Sequence, residues 1–505
     1  MKNKALKTGK CLAVFGTGSD VGKSIVSTAL CRIFTKHGIR TAPYKAQNMS
    51  NNSGVTLNGL EMGRAQIVQA EAAGLPPHVD MNPILLKPTS DTGAQVVLLG
   101  NAVENSSAAE YHSGKKRFFA EACSALDRLR EKYELIVIEG AGSCAEVNLM
   151  PNDIVNMRMA EYAESPVILI ADIHKGGVFA QIVGTLECLS AKQREMIAGF
   201  IINRFRGDIS LFSDGIKWIE EKTGKKVFGV LPWYDHIRIE AEDSVVIENV
   251  KKVMPDKDCQ KNGSQSKIAV IRLPHISNFT DFDPLFALNG LELFFVEKMQ
   301  ELALFKAVIL PGSKNTQFDL KWLHSTGWAR KLKNYANQNG HILGICGGYQ
   351  MMGRYVHDPE GIEGKPGTTE GLSLLPVETI LKAPKTTTLS SFSWKGITGT
   401  GYEIHMGITE RFAGEFLFRV SKQNGIKCSK EDGCSMDGSR ITGTYMHGLF
   451  DSPGITELWL ESIGLENIKA AQTDGLAARD KEYDLLAAHF EKHINIKDIK
   501  KLLTL

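Results

Sequence analysis

No stretch of this chain reaches the roughly 18–20 uninterrupted apolar residues that cross a bilayer, so a membrane-spanning helix is not expected. Charge of one sign is also missing. The 59 basic and 57 acidic residues leave a net +2, too little to hold a nucleic acid backbone or an anionic membrane through a general field. Any anionic ligand must be caught by a local site, and neither nucleic acid nor membrane is expected as a partner. The nine cysteines are scattered, and the nearest pair, Cys428 and Cys434, forms no C-x-x-C. That argues against a zinc site or a disulfide framework and for free thiols in a reducing cytoplasm. There is no internal repeat of solenoid period. The basic start of the chain leads into an apolar run that breaks at Gly16, short of a signal-peptide pattern.

What is present is an ordinary globular composition, 43% hydrophobic and 23% charged, over 505 residues, a length that needs more than one core. Short apolar runs alternate with amphipathic segments, as in a parallel sheet covered by helices. CLAVFG, LIVIEG, PVILIAD and AGFIIN read as buried strands, and GKSIVSTALCRIFTKHG reads as a helix stopped at Gly38. The polar stretch VKKVMPDKDCQKNGSQSK has no sustained periodicity and reads as a linker. After it the alternation restarts with KIAVIRL, LFKAVILPG and GHILGIC. The expectation is an α/β chain of two domains: a phosphate-loop-type parallel sheet with flanking helices over 1–250, a linker over 251–266, and a second α/β domain over 267–505. LAARDKEYDLLAAHFEKH is expected as an amphipathic surface helix of that second domain.

The segment VFGTGSDVGKSIV places a glycine-rich turn between a strand and a helix. It departs from the usual spacing, with Thr17 where a glycine would stand and glycines at 16, 18 and 22. Gly16, Gly18 and Gly22 let backbone N–H groups turn toward a polyphosphate. The helix beginning near Lys23 offers its positive end, and Lys23 neutralises charge. Ser24 is placed to ligate Mg²⁺, and Glu139, at the carboxyl end of LIVIEG, to direct it. Asp172 has the same strand-end placement. Asp20 is either a carboxylate near the metal or a turn former, and Asn203 either meets the adenine edge or caps its strand. The form GTGSDVGKS resembles the loop of dethiobiotin synthetases, which implies ATP activating a carboxylate as an acyl phosphate.

HILGICGGYQMMG sets Cys346 on a strand, sharp turn, helix, where a thiol is exposed and the helix start favours its thiolate. His447 in ITGTYMHGLFD is the candidate base. Gly312 in AVILPGSKNT and Gly347 can supply N–H groups to an oxyanion hole. These residues resemble the class I glutamine amidotransferase family, which implies a γ-glutamyl thioester and released ammonia. Many members of that family place a glutamate two residues after the histidine; here Leu449 stands there. Asp451 and Glu403 are candidate substitutes, and His405 is read as structural or adjacent to substrate.

Taken together, YKAQNMSNNS, GRAQIVQAEAA, MNPILLKP, VIEGAGS, ADIHKGGVFAQ, INRFRGD, GVLPW, LPHISNFTDFDPL, LPGSKNT, GYEIHMG and GTYMHGLFD resemble, over nearly the whole chain, the cobyric acid synthase family of corrinoid amidotransferases. The resemblance implies ATP, Mg²⁺, glutamine and a corrinoid substrate, with amidation of the b, d, e and g carboxylates of adenosylcobyrinic acid a,c-diamide. It also suggests that QNMSNNS and RAQ hydrogen-bond the substrate's side arms. The rivals are a cobyrinic acid a,c-diamide synthase, which ADIHKGGVFAQ and RAQ disfavour, and, more distantly, a partitioning-type nucleotide switch, which would not need Cys346 and His447. A degenerate glutaminase domain is a further alternative raised by Leu449.

Overall fold

The computed structural model describes residues 8–89, 93–234, 236–240, 266–470 and 475–504. Apart from Ser266, the expected linker lies outside them.

In the first half, six parallel strands form a sheet in the spatial order Lys226–Pro232, Ile197–Phe205, Val167–Asp172, Lys10–Gly16, Leu135–Glu139, Thr41–Tyr44. Both faces are covered, which is why the central strands read as continuous apolar runs. Side chains alternate between the faces with period two. Ala13, Phe15, Ile136 and Ile138 enter the core on one side, and Leu12, Val14, Leu135 and Val137 the core on the other. The helix Lys23–Lys36 lies on this second side, and Gly38 follows it with φ 80°, the left-handed stop its sequence suggests.

That second side also holds the end of the chain, which corrects the expected assignment of 475–504 to the other domain. Leu486, Ala487 and Phe490 of the helix Gly475–His493, and Ile496 and Ile499 of the helix Ile496–Leu502, are buried in the same core as Leu12 and Val14. Asn495 N–H donates to Phe228 O at 2.8 Å, and Arg32 pairs with Asp480 and Asp484 at 2.9 and 3.0 Å. The amphipathic stripe was legible in the sequence. Which core it covers was not, because a stripe of apolar residues carries no address.

The second half is built on another six-stranded sheet, ordered Leu291–Val296, Ser266–Ile271, Ala307–Leu310, His341–Ile345, Ile441–Thr444, Cys434–Met436, parallel except for the last. Its core runs from Ile268 to Leu465. In both halves, the carboxyl ends of adjacent parallel strands bring together loops distant in sequence, the usual place for a site on an open α/β sheet.

Candidate active sites

The glycine-rich turn follows Lys10–Gly16 and opens the helix Lys23–Lys36. A Cβ on Gly16 would lie 2.7 Å from Val21 and 2.8 Å from Gly18 O, so the turn closes too tightly for any side chain there. Gly22 has φ 103°, and a Cβ on it would meet the Asn203 amide. Lys23 Nζ donates to Gly18 O at 3.0 Å and Gly142 O at 2.9 Å, bracing the cradle from within. Ser24 and Glu139 do meet: the serine hydroxyl donates to Glu139 Oε1 at 2.8 Å. Lys45 Nζ donates to the same oxygen at 2.9 Å, and the Gln69 amide donates to Oε2. Glu139 is fully buried, a position a carboxylate keeps only with such partners.

Two hard oxygens side by side at a helix start suit Mg²⁺, which takes few protein ligands and completes its shell with water and phosphate oxygens. Among the described residues no cluster of three or more His, Cys, Asp or Glu forms an all-protein metal cage. The donor set therefore fits a metal brought with a nucleotide.

Asn203 and Asp20 each carry two readings from the sequence. Asn203 Nδ2 donates to Val21 O at 2.9 Å, bracing the loop, and its Oδ1 accepts from Arg204 N–H at 2.8 Å near the end of its own strand, as a strand cap does. Asp20, with φ 54°, pairs with Arg204 at 3.1 Å instead of joining Ser24 and Glu139. Arg204 also holds Asp172 at 2.9 Å. Thr17 N–H donates to Ile170 O at 3.0 Å, tying the loop to the neighbouring strand. Within QNMSNNS, Asn48 and Asn52 are buried and turned toward the protein itself, Asn48 donating to Gln66 and Asn52 accepting from Phe279 N–H, whereas Met49 is exposed.

In the second half, Cys346 follows His341–Ile345 and His447 follows Ile441–Thr444, two strands paired in parallel. The pairing brings the thiol and the imidazole to one sheet end, with Cys346 N–H donating to Thr444 O at 2.8 Å. Cys346 has φ 52° and ψ −108°, a strained turn for a residue with a side chain, and opens the short helix Gly347–Met352. Glycines flank it because nothing else fits: a Cβ on Gly348 would meet Leu310 O at 2.0 Å. A Cβ on Gly347 would lie 2.8 Å from Ser313 N, and one on Gly312 3.2 Å from His447 Cε1. The strand Gly312–Ser313 thus lies against the nucleophile turn, where N–H groups can face an oxyanion.

The missing acid is Asp281. Its Oδ2 lies 2.6 Å from His447 Nδ1, and its Oδ1 accepts from Gly448 N–H at 2.9 Å. The Tyr402 ring stacks on the imidazole with centroids 5.2 Å apart. Burial works against a charged imidazole, but Asp281 and Cys346, through charge and hydrogen bonding, outweigh it and push His447 up to about 10. Neither sequence candidate takes this place. Asp451 is held by Arg479 at 3.4 Å, and Glu403 accepts from Thr388, Ser390 and Gln423. His405 stacks on Tyr445 at 3.6 Å, a structural position beside the site. Asp281 stood in plain view within LPHISNFTDFDPL, but 166 residues separate it from His447 and no spacing rule joins them.

Comparisons with known proteins bear on the whole chain. Residues 12–246 match the model of the CobQ/CobB/MinD/ParA nucleotide binding domain, and residues 267–455 that of the CobB/CobQ-like glutamine amidotransferase domain. A cobyric acid synthase of Chlorobium phaeobacteroides (strain BS1) is 49% identical over 97% of this chain and 99% of its own. Those of Chlorobaculum tepidum and Syntrophobacter fumaroxidans are 47% and 42% identical, covering 97% and 98% of this chain and the same shares of theirs. Likeness of this degree over nearly the full length of both partners, with a phosphate loop and a Cys346 centre in the matching halves, settles the family: the chain belongs to the cobyric acid synthases.

Proposed function

We propose that the chain amidates the b, d, e and g carboxylates of adenosylcobyrinic acid a,c-diamide, giving adenosylcobyric acid in cobalamin biosynthesis, with ATP and glutamine consumed at each. The observation that carries this reading is the buried line of Cys346, His447 and Asp281, which equips the second half to release ammonia. Such a centre would have no use in a partitioning-type switch. It also argues against a degenerate glutaminase, since the absence of an acid at 449 is made good by Asp281.

In this mechanism the Cys346 thiolate attacks the glutamine carboxamide carbon, and N–H groups of Gly312 and Gly347 receive the developing oxyanion. His447, held by Asp281, protonates the departing ammonia and then takes a proton from the water that hydrolyses the thioester, releasing glutamate. In the first half, Lys23 and the turn of Gly16, Thr17, Gly18, Asp20 and Gly22 cradle the phosphates of ATP, with Asn203 shaping the turn. Mg²⁺ held by Ser24 and Glu139 would neutralise phosphate charge there. A substrate carboxylate oxygen takes the γ-phosphoryl group, ADP leaves, and ammonia displaces phosphate from the acyl phosphate to leave the amide. The described cysteines are all free thiols, in keeping with a reducing cytoplasm, and no described helix is long and apolar enough to cross a membrane.

The test is to incubate the a,c-diamide with ATP, Mg²⁺ and glutamine and follow the product mass. Four amide additions are expected, and none would refute the reading. Cys346→Ser should abolish glutamine-supported product and leave ammonia-supported amidation; loss of both would sink the two-site mechanism.

A further inference from the structure

Two reciprocal hydrogen bonds cross between the halves of the molecule close to the triad acid. Ser53 N–H donates to Asn278 Oδ1 at 3.0 Å, and Phe279 N–H donates to Asn52 Oδ1 at 3.1 Å. Asn52, Ser53 and Asn278 are all at most 3% exposed, so water does not stand in for either bond. Asn278 has φ 51°, and the 3₁₀ turn Phe279–Phe282 that begins after it carries Asp281. Asp281 N–H donates to Asn278 O at 3.0 Å. The acid that orients His447 therefore stands on one short turn, and the start of that turn is gripped by the first half.

The grip has firm footing on the first-half side. Ser53 Oγ donates to Glu61 Oε1 at 2.8 Å, and Glu61 is also held by Lys87 at 2.7 Å and by Lys385 of the second half at 2.6 Å. Asn52 O accepts from Arg64 N–H at 3.1 Å, at the start of the helix Arg64–Ala72. The same helix presents Gln69 to Glu139 in the nucleotide site. Asn52 thus lies on a continuous run of contacts between Glu139 of the nucleotide site and Asp281 beside His447.

We propose that Asn52 and Asn278 are positioning residues for glutamine hydrolysis: the amidating half holds Asp281 on His447 through them, so the triad is complete only while the two halves are docked in this arrangement. The inference rests on the glutaminase reading given above. Its physical basis is that a catalytic group displaced by about 1 Å can lose up to about a hundredfold in rate. A turn released at its first residue allows such a displacement. The consequence is economy of ammonia, since a chain whose first half is displaced hydrolyses glutamine slowly.

The test uses the full chain and reads the glutaminase kcat and the KM for glutamine separately, beside ammonia-supported amidation. Asn52→Ala removes the acceptor for Phe279 N–H. Asn278→Gly removes the acceptor for Ser53 N–H while accommodating the left-handed backbone, and Asn52→Asp keeps an acceptor in place. The first two are expected to lower kcat for glutamine about ten- to a hundredfold with KM within about threefold, and to leave ammonia-supported amidation within about twofold. Asn52→Asp is expected to keep most of the activity. Unchanged kcat in both Asn52→Ala and Asn278→Gly overturns the proposal, and so does an equal fall of ammonia-supported amidation, which would mark a general loss of structure. Cys346→Ser, run alongside, separates the two levels: if it still hydrolyses glutamine, the glutaminase reading itself fails, whatever the asparagine variants do.

Discussion

The Asp281 carboxylate stands 2.6 Å from His447 Nδ1 and binds Gly448 N–H with its other oxygen, so one acid fixes both the ring and the backbone beside it. An acid in that position selects the tautomer of the imidazole and supports its charge when it takes a proton. Asp281→Asn is therefore expected to reduce the glutaminase kcat on the order of 10²- to 10⁴-fold, the scale on which an orienting acid acts in hydrolytic triads. Ammonia-supported amidation should be unaffected. A variant with the parental rate of glutamate release would remove Asp281 from the mechanism.

The same pair predicts a pH dependence of stability. His447 is raised from its ordinary 6.5 to about 10. A raised base holds its proton more tightly folded than unfolded, so its contribution is fully present below about 6.5 and is lost as pH rises toward 10. Thermal unfolding of the parent and of Asp281→Asn should differ most below neutrality and converge between pH 6.5 and 10. A gap that widens with rising pH would contradict the assignment.

At the other site, the contact between Ser24 and Glu139 predicts that Ser24→Ala weakens the metal dependence of nucleotide binding. Amidation should fall roughly a hundredfold with either nitrogen source, as for loss of one group that stabilises charge in the transition state. Glutamate release by Cys346 should survive. An unaltered Mg²⁺ titration in the variant would exclude Ser24 as a ligand.

The return of the chain's last helices to the first core has its own test. Phe490 is fully buried in the core that contains Leu12 and Val14. Phe490→Ala is expected to cost about 3–5 kcal/mol. Amide exchange should rise in Leu12–Phe15 before it rises in Ile342–Ile345 of the other sheet. The opposite order would assign the helix to the second half.

The sequence by itself determined the features made within a few consecutive residues. The alternation of apolar runs and amphipathic segments gave the α/β class, because side-chain period is a local consequence of backbone geometry. The phosphate turn and the nucleophile turn were legible for the same reason: glycines beside Lys23 and Cys346 encode a tight turn between a strand and a helix. The tertiary structure decided what depends on which strands lie side by side. Asp281 meets His447, Asn203 braces the Gly22 turn, Asp20 turns to Arg204, and Phe490 joins the core of Leu12 because packing joins segments that share no local signal. Tertiary packing likewise buries opposite charges in pairs, Glu139 beside Lys45 and Glu61 beside Lys87, where low polarity makes each contact strong.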